Sequence, residues 1–328
     1  MQPRASQRLV VTGATGFVGR RFVAELARDP SNELVLLVRR PVEATELGLD
    51  RARATIVACD LERPESYASA LAGATAVVHL AARTGKASPA AFERDNVATT
   101  RALVDAASRA GVARFVHVST IAVNYPEKRR YAYARSKESA ESAVRASKLD
   151  WAIVRPTIVL GRGAPAGEAM KKLAGGGRVL IFGDGRVRVQ PIDVGDLAGL
   201  LRDVLALPKL GGATLEFGGP DVVTFRELLG RLHTRIRGGS PKFVELPLGL
   251  ALGGTALIEP FARPVMPLTA GQLYAFAYDS LAKPNELWSA RKASLKGLDA
   301  LVADLTSAPA AASRDVSGEA SGSDGTHR

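Results

Sequence analysis

Thr12-Gly13-Ala14-Thr15-Gly16-Phe17-Val18-Gly19 follows the apolar run Arg8-Leu9-Val10-Val11 and precedes a helix-like stretch over residues 20–28. A β-branched run that stops at a glycine and resumes with apolar residues at helical spacing predicts strand, tight turn, helix. The three glycines have separate tasks. Gly13 permits the turn, Gly16 lets the backbone approach a pyrophosphate, and Gly19 lets the helix lie close to its strand. The helix N-terminus then offers free N–H groups to an anion. The spacing is G-x-x-G-x-x-G rather than G-x-G-x-x-G, so it is the position after the first strand that makes this a dinucleotide-binding loop, with Thr15, Phe17 and Val18 completing it.

Outward from the loop, residues 33–39, 54–58, 76–80, 114–119 and 151–155 read as further strands, with helical patterns over 64–71, 89–110 and 133–147 between most of them. Strands regularly separated by helices imply a doubly wound α/β (Rossmann) fold, a parallel sheet with right-handed crossovers. Ligands in such sheets lie beyond the carboxyl ends of the strands. Arg39 and Arg40 follow the second strand, where an acid would accept from the ribose hydroxyls of NAD and an arginine would pair with the additional phosphate of NADP. The sequence therefore favours NADP over NAD. Asp60-Leu61 follow the third strand, the acid placed for an adenine amino group. Ala81-Ala82 follow the fourth, where small side chains let a cofactor pass close over the sheet. His79 reads as a structural histidine at a strand end.

Ser119-Thr120 close the fifth strand with two hydroxyls in the ligand crevice. A helix beginning near Tyr131 carries Tyr133-Ala134-Arg135-Ser136-Lys137, in which Tyr133 and Lys137 share one face. An ammonium beside a phenol favours phenolate and brings a group with an ordinary pKa of about 10 toward working pH. A tyrosine so tuned can exchange a proton with a carbonyl or alcohol while a nicotinamide exchanges hydride. Tyr125 and Tyr131 have Arg129 and Arg135 at the same offset. Arginine does not titrate usefully, so Tyr133 is the candidate acid/base.

The 328 residues are 46% hydrophobic, enough for a large core, and the length suits two lobes. A net charge of +11 admits nucleic acid, an acidic membrane surface or phosphorylated ligands, but the arginines are scattered along the chain and aromatics are only 5%, which leaves few platforms for bases and argues against nucleic acid. The lone Cys59 cannot form an internal disulfide, and the first residues are too short and polar for a secretion signal, so a cytoplasmic location is expected. No metal site is expected. The nearest approach to a membrane span is 243–262, interrupted by Glu245, Pro247, Glu259 and Pro260.

TGATGFVG, Asp60-Leu61, HLAA at 79–82, Asn96-Val97, VST at 118–120, YARSK at 133–137 and RPTIVLG at 155–161 stand in an order that resembles the short-chain dehydrogenase/reductase superfamily in its extended branch. PIDVGDLAG at 191–199 is similar to that branch's V-D-D-V-A element. Together with 267–280, it resembles atypical epimerase/dehydratase-like members related to a complex I subunit. The resemblance covers roughly residues 8–219. It implies that Tyr133 is the acid/base, that Lys137 lowers its pKa and holds the nicotinamide ribose, that Thr120 positions the substrate oxygen with Ser119 beside it, and that Pro156 lies at the cofactor. Relatives acting on nucleotide sugars carry a longer insert with V-Y-G before the tyrosine; here Val123-Asn124-Tyr125 is followed only by Pro-Glu-Lys-Arg-Arg.

Residues 1–160 are expected to form the dinucleotide-binding domain, completed by parts of 186–219; 161–306 are expected to be mainly a substrate lobe, and 307–328 a disordered tail. Thr224 and Glu227 form a capping box at the start of a helix. Lys171, Lys172, Arg186 and Arg188 could clamp a substrate phosphate, but a solvated basic face is the preferred reading. Residues 246–257 and 261–268 suit the wall of a pocket for a mostly apolar ligand with one reactive oxygen. The stretch 243–262 is expected to cover that pocket in preference to resting on a membrane. A small-molecule substrate is the expected partner, with peripheral membrane contact and a homodimer left open. The expected activity is hydride transfer to or from a carbonyl or alcohol. Alternatives are a nucleotide-sugar epimerase/dehydratase and a non-catalytic NAD(P)-binding assembly or regulatory subunit.

Overall fold

In a computed structural model, residues 7–50, 53–262 and 269–307 are described. The expected disordered tail from 308 and the 263–268 part of the expected apolar wall lie outside these residues. The first half runs β1 (Gln7–Thr12), α1 (Phe17–Leu26), β2 (Asn32–Val38), β3 (Ala54–Ala58), β4 (Ala76–His79), α2 (Pro89–Phe92), α3 (Thr99–Arg109), β5 (Arg114–Val118), α4 (Ala132–Arg145) and β6 (Asp150–Pro156). The second adds β7 (Val159–Leu160), α5 (Pro165–Ala174), β8 (Val179–Phe182), β9 (Arg188–Val189), β10 (Ile192–Asp193), α6 (Val194–Ala206), β11 (Ala213–Phe217), β12 (Val223–Thr224), α7 (Phe225–Arg237), β13 (Phe243–Leu246), α8 (Leu248–Ala262), α9 (Ala270–Leu273), α10 (Glu286–Arg291) and α11 (Leu298–Thr306).

Seven strands form one parallel sheet in the order β11-β6-β5-β4-β1-β2-β3. Strand order reverses between β1 and β4, which opens a crevice beyond their carboxyl ends. Both faces are covered, so the strands read as continuous apolar runs rather than alternating ones. One face buries Phe22, Val23 and Leu26 of α1 with Leu197, Leu200 and Val204 of α6. The other buries Leu103, Val104 and Ala107 of α3 and Val144 of α4. Each such side chain fully removed from water contributes about 1.5–3 kcal/mol. A separate cluster joins Met170, Ile181, Leu228, Leu232, Leu301 and Leu305 from α5, β8, α7 and α11.

Three expected elements differ in detail. Residues 64–71 form two 3₁₀ turns, Pro64–Ser66 and Ala68–Leu71, because the chain breaks at Tyr67 (φ −141°) to bury that ring completely. The single helix expected over 89–110 is α2 and α3 joined by a π-helical stretch, Glu93–Ala98. Only half of the capping box at α7 forms. Thr224 Oγ1 accepts from Glu227 N at 3.1 Å, while the Glu227 carboxylate turns to Arg231 at 2.6 Å.

The turn after β1 is tight for a stated reason. Gly13 has φ +73°, and a Cβ there would lie 2.5 Å from Ala81 N; a Cβ at Gly19 would lie 2.0 Å from Gly13 O. Both contacts are with backbone, which cannot swing aside. Gly19→Ala is therefore expected to destabilise the fold by about 1–3 kcal/mol, the usual cost of overpacking, and a urea titration against wild type checks it.

Candidate active site

α1 starts at Gly16 in extended conformation, with no side-chain cap and no acid in its first turn. Its leading N–H groups are therefore available to an anion. Arg20 braces the loop from outside, with Nε 3.1 Å from Thr15 O and Nη1 2.9 Å from Glu46 O. Thr15 and Gly16 are exposed, Phe17 and Val18 half-buried, and Gly19 buried. A cradle that a single Cβ would fill at Gly13 or Gly19, with bare helix N–H groups beside it, fits a dinucleotide pyrophosphate. Arg39 and Arg40 lie exposed just past β2, with no ion-pair partner among the described residues. Asp60 is exposed past β3, and its Oδ1 also closes its own turn by accepting from Glu62 N at 3.0 Å. Leu61 and Ala81 are half-buried, Ala82 is exposed and Pro156 is buried at the end of β6.

A directional hydrogen-bond chain fixes the loop after β4. Ala81 N donates to Thr12 Oγ1 at 3.1 Å, Thr12 Oγ1 and His79 Nδ1 are 2.7 Å apart, His79 Nε2 and Thr100 Oγ1 are 2.9 Å apart, and Thr100 Oγ1 donates to Asn96 O at 2.6 Å. Since the Thr100 proton goes to Asn96, His79 must donate from Nε2 and accept at Nδ1. Burial, reinforced by Lys137, pushes its pKa down to about 3. His79 is thus a neutral bracket between β1, β4 and α3. Asn96, within the π-helical stretch, grips the same loop from the other side. Its Oδ1 accepts from Arg83 N at 2.7 Å, and its Nδ2 donates to Arg83 O at 3.1 Å and to Ser136 Oγ at 2.9 Å.

Tyr133 and Lys137 stand one turn apart on α4, facing the end of β5. Thr120 Oγ1 accepts from Ala122 N at 3.3 Å, and its hydroxyl is near enough to Tyr133 to act on the phenol's pKa. Burial dominates the phenol and pushes its pKa up to about 12, with Thr120 the only group drawing it back. Lys137 is 1% exposed, and its Nζ rests 2.9 Å from Val118 O and 3.2 Å from His117 Nε2. Burial pulls that ammonium down to about 8. The expected lowering of Tyr133 by Lys137 therefore does not operate in this arrangement, because desolvation outweighs a charge engaged with a carbonyl and an imidazole. Tyr133 holds its proton at neutral pH. Ser119 is buried beside Thr120; burial raises the Glu141 carboxyl, but Arg155 outweighs it and holds it below its ordinary range.

Aromatic composition hides the local arrangement. Five of the six tyrosines converge here: Tyr133 with Tyr131 at 5.8 Å between centroids, Tyr131 with Tyr125 at 6.4 Å, Tyr125 with Tyr278 at 5.6 Å, and Tyr278 stacked on Tyr274 at 6.1 Å. Phe92 closes on Tyr133 at 5.9 Å. Tyr274 and Tyr278, absent from the sequence-based candidates, stand four apart, the spacing that could have paired them with the cluster at 125–133.

Beneath α4 a charged network ties that helix to β6, β11 and the C-terminal segment. Glu141, its side chain fully buried, receives Arg155 through two bonds of 2.9 and 2.6 Å. Arg155 also reaches Asn124 Oδ1 at 2.7 Å, and Asn124 donates to Glu216 Oε1 at 2.7 Å. Glu216 in turn accepts from Lys283 N at 2.9 Å. Asp193 of PIDVGDLAG caps α6 through Gly195 N at 2.8 Å and pairs with Lys296 at 3.1 Å, so this element is an anchor for the C-terminal segment.

The four basic residues form no phosphate clamp and stand as a surface basic face, as preferred from the sequence. Arg188 is held bidentately by Asp279 at 2.8 and 2.6 Å, Lys171 by Glu168 at 2.7 Å and Arg186 by Asp184 at 3.5 Å; Lys172 is exposed. The expected apolar wall is corrected. Leu250 and Leu257 of α8 are 74% and 76% exposed and face outward rather than into a pocket. Cys59 is buried at the end of β3, its thiol pushed up to about 11 chiefly by desolvation. Among the described residues no group of His, Cys, Asp and Glu could hold a metal ion, and no helix is long and apolar enough to cross a membrane.

With this geometry in hand, likenesses to known proteins become interpretable. The NAD(P)H-binding family profile matches residues 13–179. Ceramide reductase of Caulobacter vibrioides is 33% identical, covering 77% of this chain and 78% of its own. The NADH dehydrogenase [ubiquinone] 1 alpha subcomplex subunit 9 of Arabidopsis thaliana is 30% identical, over 84% and 71%. Among solved structures, a dTDP-glucose 4,6-dehydratase of Streptomyces venezuelae with NAD and TYD bound is 26% identical with a TM-score of 0.63, over 83% of this chain and 97% of its own.

The buried network sets a prediction. Glu141→Ala leaves Arg155 with a diminished counter-charge in a dry site and is expected to cost about 3–5 kcal/mol, whereas the paired Glu141→Leu/Arg155→Met replacement costs markedly less. Denaturant titrations of the two variants check it.

Proposed function

The chain belongs to the extended, atypical branch of the short-chain dehydrogenase/reductase superfamily, an NAD(P)-dependent enzyme of oxidoreductase/epimerase type, and on that premise we propose that it reduces a hydrophobic carbonyl compound with Tyr133 as proton donor and NADP as preferred cofactor. The observation that carries this reading is the buried Tyr133 phenol, protonated at neutral pH, beside Thr120 at the end of β5 and with the buried Lys137 one helical turn away. Gly13, Thr15, Gly16, Phe17, Val18 and Gly19 would hold the pyrophosphate, Arg39 the additional ribose phosphate, Asp60 and Leu61 the adenine, and Ala81, Ala82, Ser119, Lys137 and Pro156 the nicotinamide half. When bound, the cofactor supplies hydride.

Thr120 orients the substrate oxygen, Tyr133 delivers a proton to that oxygen as negative charge develops on it, and Lys137 holds the nicotinamide ribose. A phenol that keeps its proton suits the reductive direction; alcohol oxidation calls on the phenolate and gains as pH rises. Residues 161–306, apart from the sheet strand β11 and α6, are assigned to the substrate lobe. Tyrosine rings around the reactive hydroxyl and the compact 120–133 link favour an apolar substrate, in keeping with the likeness to ceramide reductase. The likeness to the dTDP-glucose 4,6-dehydratase makes a nucleotide sugar the rival substrate, and the complex I subunit makes an assembly role the non-catalytic rival.

Three outcomes are expected. Tyr133→Phe keeps NADPH binding and loses turnover of hydrophobic ketones by about 10²–10⁴-fold; NADPH oxidation over a panel of such ketones and of UDP- and dTDP-sugars measures both the loss and the substrate class. Arg39→Ala weakens NADP by about tenfold or more and leaves NAD unchanged, as removal of one charge-assisted contact requires; fluorescence titration reads it. Because burial lowers Lys137 to about 8, its ammonium is present below that pH and lost above it. NADP affinity falls as pH rises through this value in wild type and is flat in Lys137→Ala.

A further inference from the structure

α8 presents an apolar face to solvent. Leu250, Gly253, Gly254, Leu257 and Ile258 recur at helical spacing on its exposed side, with Leu250, Leu257 and Ile258 at 74%, 76% and 52% exposure. A Cβ at Gly253 or Gly254 would meet nothing within 4 Å. No charged residue interrupts the chain between Glu245 and Glu259. Scattered surface leucines need no explanation, but a contiguous apolar helix face does.

Charge at its borders selects the partner. α8 packs against α9, and Gly271 of α9 lies against the backbone of Arg130 and the ring of Tyr131. Arg129 and Arg130 are exposed there, with no acidic side chain paired to either among the described residues. At the other end Gly183 N donates to Leu246 O at 2.8 Å, just before α8, and Arg186 in the same turn is 86% exposed and paired with Asp184 at 3.5 Å. Apolar surface bordered by the exposed cations Arg129, Arg130 and Arg186, on a chain of net charge +11, matches an anionic lipid surface. α8 is a 15-residue helix, too short to span a bilayer but long enough to lie in its headgroup layer. The same α9 leads into Tyr274, and from there the tyrosine rings run through Tyr278, Tyr125 and Tyr131 to Tyr133.

We propose that α8 docks this protein on anionic membranes, with Arg129, Arg130 and Arg186 on lipid phosphates, and that the tyrosine row connects the docked face to the reactive hydroxyl, so that the carbonyl substrate is a bilayer-resident lipid. The substrate part rests on the carbonyl-reductase reading; the docking part does not.

The test uses the full chain with extruded vesicles of phosphatidylcholine alone or with phosphatidylglycerol, in a flotation assay. Wild type is expected to bind the anionic vesicles, and to bind them less at high salt. Leu250→Glu/Leu257→Glu is expected to lose that binding by at least about tenfold, the consequence of withdrawing two leucines from lipid, while keeping NADPH affinity and turnover of a short water-soluble ketone. Arg129→Glu/Arg130→Glu should weaken binding to anionic vesicles only. Undiminished vesicle binding by the leucine variant, or none by wild type, overturns the proposal. So does a wild-type dimer in light scattering that the leucine variant breaks, which would assign the face to a second copy. Vesicle binding that follows these expectations with no turnover of any ketone leaves docking intact and removes the reductase reading instead.

Discussion

The backbone of Gly13 and the backbone of Ala81 approach so closely that no side chain fits between them, and much of the crevice follows from that contact. It places the loop after β1 against the loop after β4 at the reversal of strand order, where an open parallel sheet receives its ligand. Gly19 then lets α1 settle on Gly13 O, aiming uncapped N–H groups into the same space. The hydrogen bonds from Ala81 through Thr12, His79 and Thr100 to Asn96 hold the approach from behind with every proton assigned. A neutral histidine serves here because a buried imidazolium would be unpaired and close to Lys137.

Asn96 links this cradle to the chemistry. It grips Arg83 by backbone N–H and carbonyl and reaches Ser136, whose hydroxyl bonds Tyr133 O at 2.7 Å. The cradle and the helix carrying Tyr133 are therefore parts of one hydrogen-bonded assembly. On its far side, α4 is held by Glu141, Arg155, Asn124 and Glu216, which extend to Lys283 and Asn285. The tyrosine that meets substrate is thus fixed between a cofactor cradle and a charged strut to the C-terminal segment. A buried strut contributes little net stability over an apolar one, so its value here is geometric.

Local pattern carried much of the fold. The six early strands fall within a residue or two of their sequence boundaries, because β-branched runs ending in Gly, Arg or Ser-Thr leave little choice of register. The Tyr67 break and the π-helical stretch at Asn96 were not legible, since each answers to packing against distant residues rather than to propensity. The same holds for charge. Lys171, Arg186 and Arg188 read as free cations in sequence, but their acids lie at Glu168, Asp184 and Asp279, the last far along the chain. Lys137 reads as a partner for Tyr133 from helical spacing alone. Depth of burial, which spacing does not report, decides that the phenol stays protonated.

The central claim is that the Tyr133 hydroxyl and a bound nicotinamide together reduce an apolar carbonyl. It is tested most directly by incubating the protein with a long-chain ketone and NADPH deuterated at its hydride-bearing carbon, then analysing the product by mass spectrometry. The account predicts a secondary alcohol carrying deuterium on the former carbonyl carbon, formed by wild type and not by Tyr133→Phe. An undeuterated alcohol, the same labelled yield from both proteins, or no alcohol alongside conversion of a dTDP-sugar would contradict it.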